Sequence, residues 1–134
     1  MRKAVLVVTL FVGAVALAAP PASSPALLEK GKASFTLNCV PCHGVAGAGD
    51  GVAAAALNPK PRNFKVDAFK NGEKPENVFK TVSEGIPTTV MVAFAHLTEE
   101  ERWSLAYYVL ELRGPGVGKP VAAAPAADAK KKKK

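Results

Sequence analysis

The chain predicts an all-α fold with three or more helices, and three observations carry that prediction. Helix start signals stand at three places. Apolar residues follow them at spacings of three and four. The flanks of the two cysteines lack the period-2 alternation of a half-buried strand. The first helix is announced by Ser24, a favoured cap, with Pro25 at its first position. Gly31 and Phe35, four apart, then share one face of it. A second helix opens at Pro75, places Val78, Phe79 and Val82 on one face and ends at Gly85. A third begins at Thr98-Glu99-Glu100-Glu101, a capping-box pattern, continues through Leu105, Tyr108 and Leu112, and stops at Gly114 and Pro115.

The two ends of the 134-residue chain read as appendages to this unit. Arg2 and Lys3 precede an uncharged run of 16 residues from Ala4 to Ala19, and the triplet Ala16-Leu17-Ala18 resembles a signal-peptidase site. Residues 1–18 are therefore expected to be a secretory signal peptide cleaved after Ala18, with 19–25 as a short leader. A retained anchor is the alternative, although the run is short of the about 20 apolar residues that span a bilayer. Residues 114–134 are rich in Gly, Pro and Ala and close on Lys130 to Lys134, which predicts a disordered tail.

The folded unit is then 26–113, with ten Lys or Arg and ten Asp or Glu. The formal net charge of +7 sits on the expected signal peptide and the tail, not on a folded face. The basic balance is thus no argument for a nucleic-acid-binding domain.

The chemistry is concentrated in Cys39-Val40-Pro41-Cys42-His43, which holds both cysteines and one of the two histidines of the chain. A Cys-x-x-Cys pair can be a disulfide, a thioredoxin-like redox pair or half of a zinc site. A thioredoxin-like site needs alternating strands and helices around it. A structural zinc needs four ligands, and His43, directly beside Cys42, is poorly placed to share their tetrahedron. Attachment of haem uses every residue of the motif. Cysteines three apart lie on one helical turn and reach the two vinyl groups along one haem edge, and the next residue, His43, points its imidazole at the iron.

With the segments GKASFTLNCVPCHG, GAGDGVAAAALNPKPRNF, ENVFKTVSEGIPTTVMVAF and LTEEERWSLAYYVLEL, the stretch from Leu27 to Leu112 resembles a class I cytochrome c. These are monohaem electron carriers built of helices around one covalently attached haem. The resemblance implies a cytochrome c fold whose first and last helices cross, with Gly31 permitting close approach and Phe35 meeting Tyr108. It implies haem c as cofactor, bound through Cys39 and Cys42, with His43 as one axial ligand.

For the sixth position on the iron, Met91 is the only methionine outside the expected signal peptide, and its context GIPTTVMVAF resembles the family segment that delivers an axial methionine. The family commonly has proline next, where this chain has Val92, so a less rigid loop is expected. His96 is the other candidate, two residues before the cap Thr98. In the family a proline carbonyl accepts from the ligating imidazole, and Pro59 or Pro61 matches, with Pro59 preferred. Arg62 is a candidate partner for a haem propionate, or else a solvated loop charge.

The expected function is single-electron transfer between periplasmic or membrane redox partners, by a non-enzymatic, monomeric carrier. Alternatives are the electron-accepting subunit of a periplasmic dehydrogenase complex, or a ligand-binding haem protein with a displaceable sixth ligand.

Two predictions rest on the sequence. An 88-residue unit buries only roughly 60 to 70 per cent of its unfolded surface, so haem is needed as a core element. A Cys39→Ala, Cys42→Ala double variant without haem should be largely unfolded, and near-native far-ultraviolet circular dichroism would refute this. Deleting residues 119–134 should leave the optical spectrum and melting temperature unchanged while lowering binding to anionic liposomes, or the electron-transfer rate, at low salt. Identical behaviour of both proteins at about 10 mM salt, where the screening length is about 30 Å, would make the tail inert.

Overall fold

Ser24 has an extended backbone, and its Oγ accepts from the Leu27 N–H at 3.2 Å, so the first helix starts where the cap and proline dictate. The computed structural model describes residues 19–114. The expected signal peptide and positions 115–134 of the expected tail lie outside the described residues. Within that range the helices are α1 (Pro25–Asn38), α2 (Val40–His43), α3 (Pro75–Glu84) and α4 (Glu99–Arg113), with a single 3-10 turn at Ala54–Ala56 and no strand. The all-α prediction holds. α2, absent from the sequence reading as a separate element, is one turn that bends off α1 at Cys39, whose N–H bonds the Phe35 carbonyl and whose carbonyl accepts from His43 N–H, both at 2.8 Å.

The centre of the fold is the crossing of α1 and α4. A Cβ placed on Gly31 would lie 2.2 Å from the Ser104 carbonyl oxygen and 2.8 Å from the Tyr108 Cβ, so the two backbones meet where α1 has no side chain. One turn on, Phe35 and Tyr108 pack edge to face with centroids 5.4 Å apart, the pair expected from the sequence. On another side α3 packs against α4, where Phe79 stacks on Trp103 at 4.1 Å. Tyr107 donates its hydroxyl to the Pro21 carbonyl at 2.6 Å, which ties the segment before α1 to α4.

The start of α4 is the expected capping box. Glu101 N–H donates to Thr98 Oγ1, and Thr98 N–H donates to the Glu101 carboxylate at 2.8 Å. Its burial differs from the stripe of Leu105, Tyr108 and Leu112. Trp103, Ser104, Leu105, Ala106, Tyr107, Val109 and Leu110 are all buried, whereas Tyr108 and Leu112 are only partly so. The physical reason is that α4 has α1 on one side, α3 on another and a cavity on a third, so its apolar surface runs almost all round.

Gly31→Ala should therefore cost about 2 kcal/mol of overpacking strain, read as a fall in melting temperature on the order of 10 °C in a domain of this size. A melting curve superimposable on the native one would show that the helices separate at no cost.

Candidate functional site

The cysteines and His43 sit at the end of α1 and on α2, facing a cavity of about 530 Å³. That is within the roughly 300–1,000 Å³ typical of cofactor and ligand pockets. Its wall is mainly apolar: Phe35 comes from α1, Val78 and Val82 from α3, Leu105 and Val109 from α4, and Phe64, Phe69, Ile86 and Phe94 from the loops. Cys39, Cys42, His43 and Met91 all line it.

The residues fit a haem better than the rival groups. Both cysteines are free thiols rather than a disulfide. Among the described residues no three His, Cys, Asp or Glu side chains are grouped to hold a bare metal ion, whereas a structural zinc needs four ligands. Burial, reinforced by Cys42, pushes the Cys39 thiol up to about 12, so in this packing it is a neutral apolar group of the wall.

His43 is fixed from two directions. Its Nδ1 lies 3.2 Å from the Arg62 carbonyl oxygen, which can only accept, so Nδ1 carries the proton and Nε2 keeps the lone pair. Its ring stacks on Phe64 with centroids 4.5 Å apart and planes 23° apart. Burial lowers its pKa, opposed by the hydrogen bond to Arg62 and assisted by the Arg62 charge, which favours the neutral imidazole that a metal requires. The acceptor is thus a correction: Arg62, not Pro59 or Pro61, offers the carbonyl. Pro59 and Pro61 line the cavity, and Pro59 is exposed at its rim. The chain turns inward only at Arg62 to Phe64, where Phe64 N–H bonds the Gly47 carbonyl at 2.7 Å. Gly47 has φ 69, and a Cβ there would strike the Phe64 ring at 2.5 Å, so glycine is required on both counts.

Arg62 lies at the cavity wall, and its guanidinium donates to the Ala68 carbonyl. Met91 is held by backbone rather than by a following proline. The Ile86 N–H donates to the Met91 carbonyl at 2.9 Å, Met91 N–H donates to Thr89 Oγ1 at 3.1 Å, and Phe94 N–H reaches back to Val82 at 2.9 Å. Val92, in the place where the family commonly has proline, is exposed. His96 is also exposed, lies outside the cavity wall and has its ring 5.8 Å from that of Phe94.

Sequence reasoning missed Phe64 as a partner of His43. The available signal was an aromatic isolated in Pro59-Lys60-Pro61-Arg62-Asn63-Phe64-Lys65, a polar stretch that offers it no local partner.

A family model for cytochrome c matches residues 28–113. Comparison with curated proteins returns no match. Among solved structures the chain is similar to a chain of the reducing HAO-like protein complex of Kuenenia stuttgartiensis, at 37% identity and a TM-score of 0.57, over 63% of this chain and 41% of that one. It thus spans about two fifths of that chain's length. The family match takes in α1 from Leu28 onward, the other three helices, the cysteine pair with its histidine, and the apolar cavity they line, so the chain belongs to the cytochrome c family, which carries covalently attached haem c for electron transfer.

Proposed function

We propose that this chain is an exported, monomeric, monohaem carrier of single electrons between protein redox partners, with Cys39 and Cys42 as the thioether residues and His43 and Met91 as the axial ligands. The observation that supports this most is that one apolar cavity gathers these four side chains, while the competing His96 stays outside it. When bound, haem c supplies a one-electron ferric–ferrous couple. The remaining work belongs to the chain. The Arg62 carbonyl holds the His43 proton on Nδ1 and leaves Nε2 free to ligate. The hydrogen bonds around Met91 present its thioether without help from proline. Phe35, Phe64, Val82 and Leu105 keep water from the centre. Pro59 lines the rim, and Arg62, which has donors beyond the one given to Ala68, would be free to pair with a propionate. Among the described residues no helix is long and apolar enough to cross a membrane.

A second reading is that the chain is the haem-bearing electron acceptor of a larger enzyme assembly. The similarity to a chain of a HAO-like complex favours it. Co-purification with a catalytic subunit at fixed stoichiometry separates it from a free carrier.

The test of the ligand set is optical. The native ferric protein should be low-spin with a weak far-red sulfur-to-iron band, and the ferrous protein should not bind carbon monoxide. Met91→Ala should lose the band, bind carbon monoxide and fall in reduction potential, because a soft thioether favours ferrous iron. His96→Ala should match the native protein. Carbon monoxide binding by the native protein at neutral pH would instead indicate a displaceable sixth ligand, and the loss of the far-red band in His96→Ala rather than in Met91→Ala would reverse the assignment.

A further inference from the structure

In the sequence Arg113 is only the last charge before Gly114, but in the fold it reaches across to the loop that carries Phe64. Its guanidinium donates to the carbonyls of Phe64 at 2.7 Å and Asp67 at 2.8 Å, pairs with Glu73 and lies 4.8 Å over the Phe69 ring. Its side chain is only 14% exposed. Phe64 is consequently held at both ends of its peptide units, by Gly47 at the N–H and by Arg113 at the carbonyl. Phe69, under the same guanidinium, packs edge-on against Phe64 at 5.7 Å. The far face of this assembly is the stack of Phe64 on His43.

We propose that Arg113 is a positioning residue for the iron's histidine ligand, gripping the 64–67 backbone so that the Phe64 ring lies flat against His43 and fixes the plane of its imidazole. The inference rests on the reading of His43 as an axial ligand. A hydrogen bond alone leaves the ring free to rock about its Nδ1 contact, whereas a stacked aromatic face 4.5 Å away removes that freedom. One guanidinium nitrogen serves the two carbonyls and another the carboxylate, a spacing that the single nitrogen of lysine does not reproduce. Lysine would keep the charge and lose the geometry.

The experiment compares proton NMR spectra of the ferric holoprotein, in which the spread of the haem-methyl resonances follows the orientation of the axial imidazole. Arg113→Lys preserves charge and should change that spread. Phe64→Leu, with Arg113 intact, should change it in the same sense, and the double variant should be no more altered than Phe64→Leu alone, since both act through one contact. Glu73→Gln removes the ion pair but leaves both carbonyl contacts, and should keep the native pattern. Strongly shifted His43 ring protons in the native protein establish ligation, and their absence overturns the ligand reading and this proposal together. If they are present, a native spread in either Arg113→Lys or Phe64→Leu, additive changes in the double variant, or an altered spread in Glu73→Gln overturns the role of Arg113 alone. Phe64→Leu keeps the test decisive should Arg113→Lys yield no holoprotein.

Discussion

The close crossing of α1 and α4 at Gly31 is the constraint from which the site follows. Because the Ser104 carbonyl occupies the space that a side chain on Gly31 would need, the angle and depth of the crossing have little latitude. The C-terminal end of α1 delivers Cys39, Cys42 and His43 to the cavity one turn later, through the bend at Cys39. The C-terminal end of α4 delivers Arg113 to the loop that supports His43 from the side. A shift at the crossing would move His43 and its support by different amounts, so the glycine contact sets their mutual geometry.

The helices supply only part of the wall, and loops complete it. Loops are ordinarily the mobile and variable part of a fold, yet here they present Phe64, Ile86, Met91 and Phe94 to the cavity. They are held because their backbone groups are paired across loop segments. Gly49 N–H bonds the His43 carbonyl at 2.9 Å, Phe64 N–H bonds Gly47, and Ile86 N–H bonds Met91. Thr89 adds a side-chain tie in each direction, donating to the Ile86 carbonyl at 2.8 Å and accepting from Met91. This is how the Met91 segment keeps its shape with Val92 where proline was expected.

Helix boundaries and the clustering of both cysteines with a histidine were legible in the sequence because they depend on residues a few positions apart. Ser24 with Pro25, Thr98 with Glu101 and the Cys39–His43 string each contain their own explanation. The carbonyl that orients His43 was misplaced, because every residue has a carbonyl and only the tertiary path decides which one turns inward. That path is set by Phe64 finding Gly47, Phe35 and His43, three partners far off in the chain. Arg113 was invisible for the same reason, since it bonds backbone atoms 46 and 49 residues away. The nearly all-round burial of α4 also weakens the periodicity from which its inward face would be read.

The lining of the cavity would push the redox couple of a haem bound there in one direction. An oxidised haem iron carries one more positive charge than a reduced one, and a wall dominated by Phe, Val, Leu and Ile solvates that charge poorly. The charged residues on the wall are Lys60, Arg62 and Lys70 against Asp67 alone, an excess of positive charge that the two propionates of a bound haem would offset. These side chains lie toward solvent, where screening over about 8 Å at physiological salt reduces what effect they have, so the apolar wall would be the main contribution. A thioether from Met91, as proposed, acts with the same sign. With haem bound in this cavity, the wall and the proposed ligands would therefore both act to raise the potential. The formal neutrality of 26–113 follows the same logic, because the net charge of the whole unit is a poor guide to a field set within a few ångströms of a buried centre.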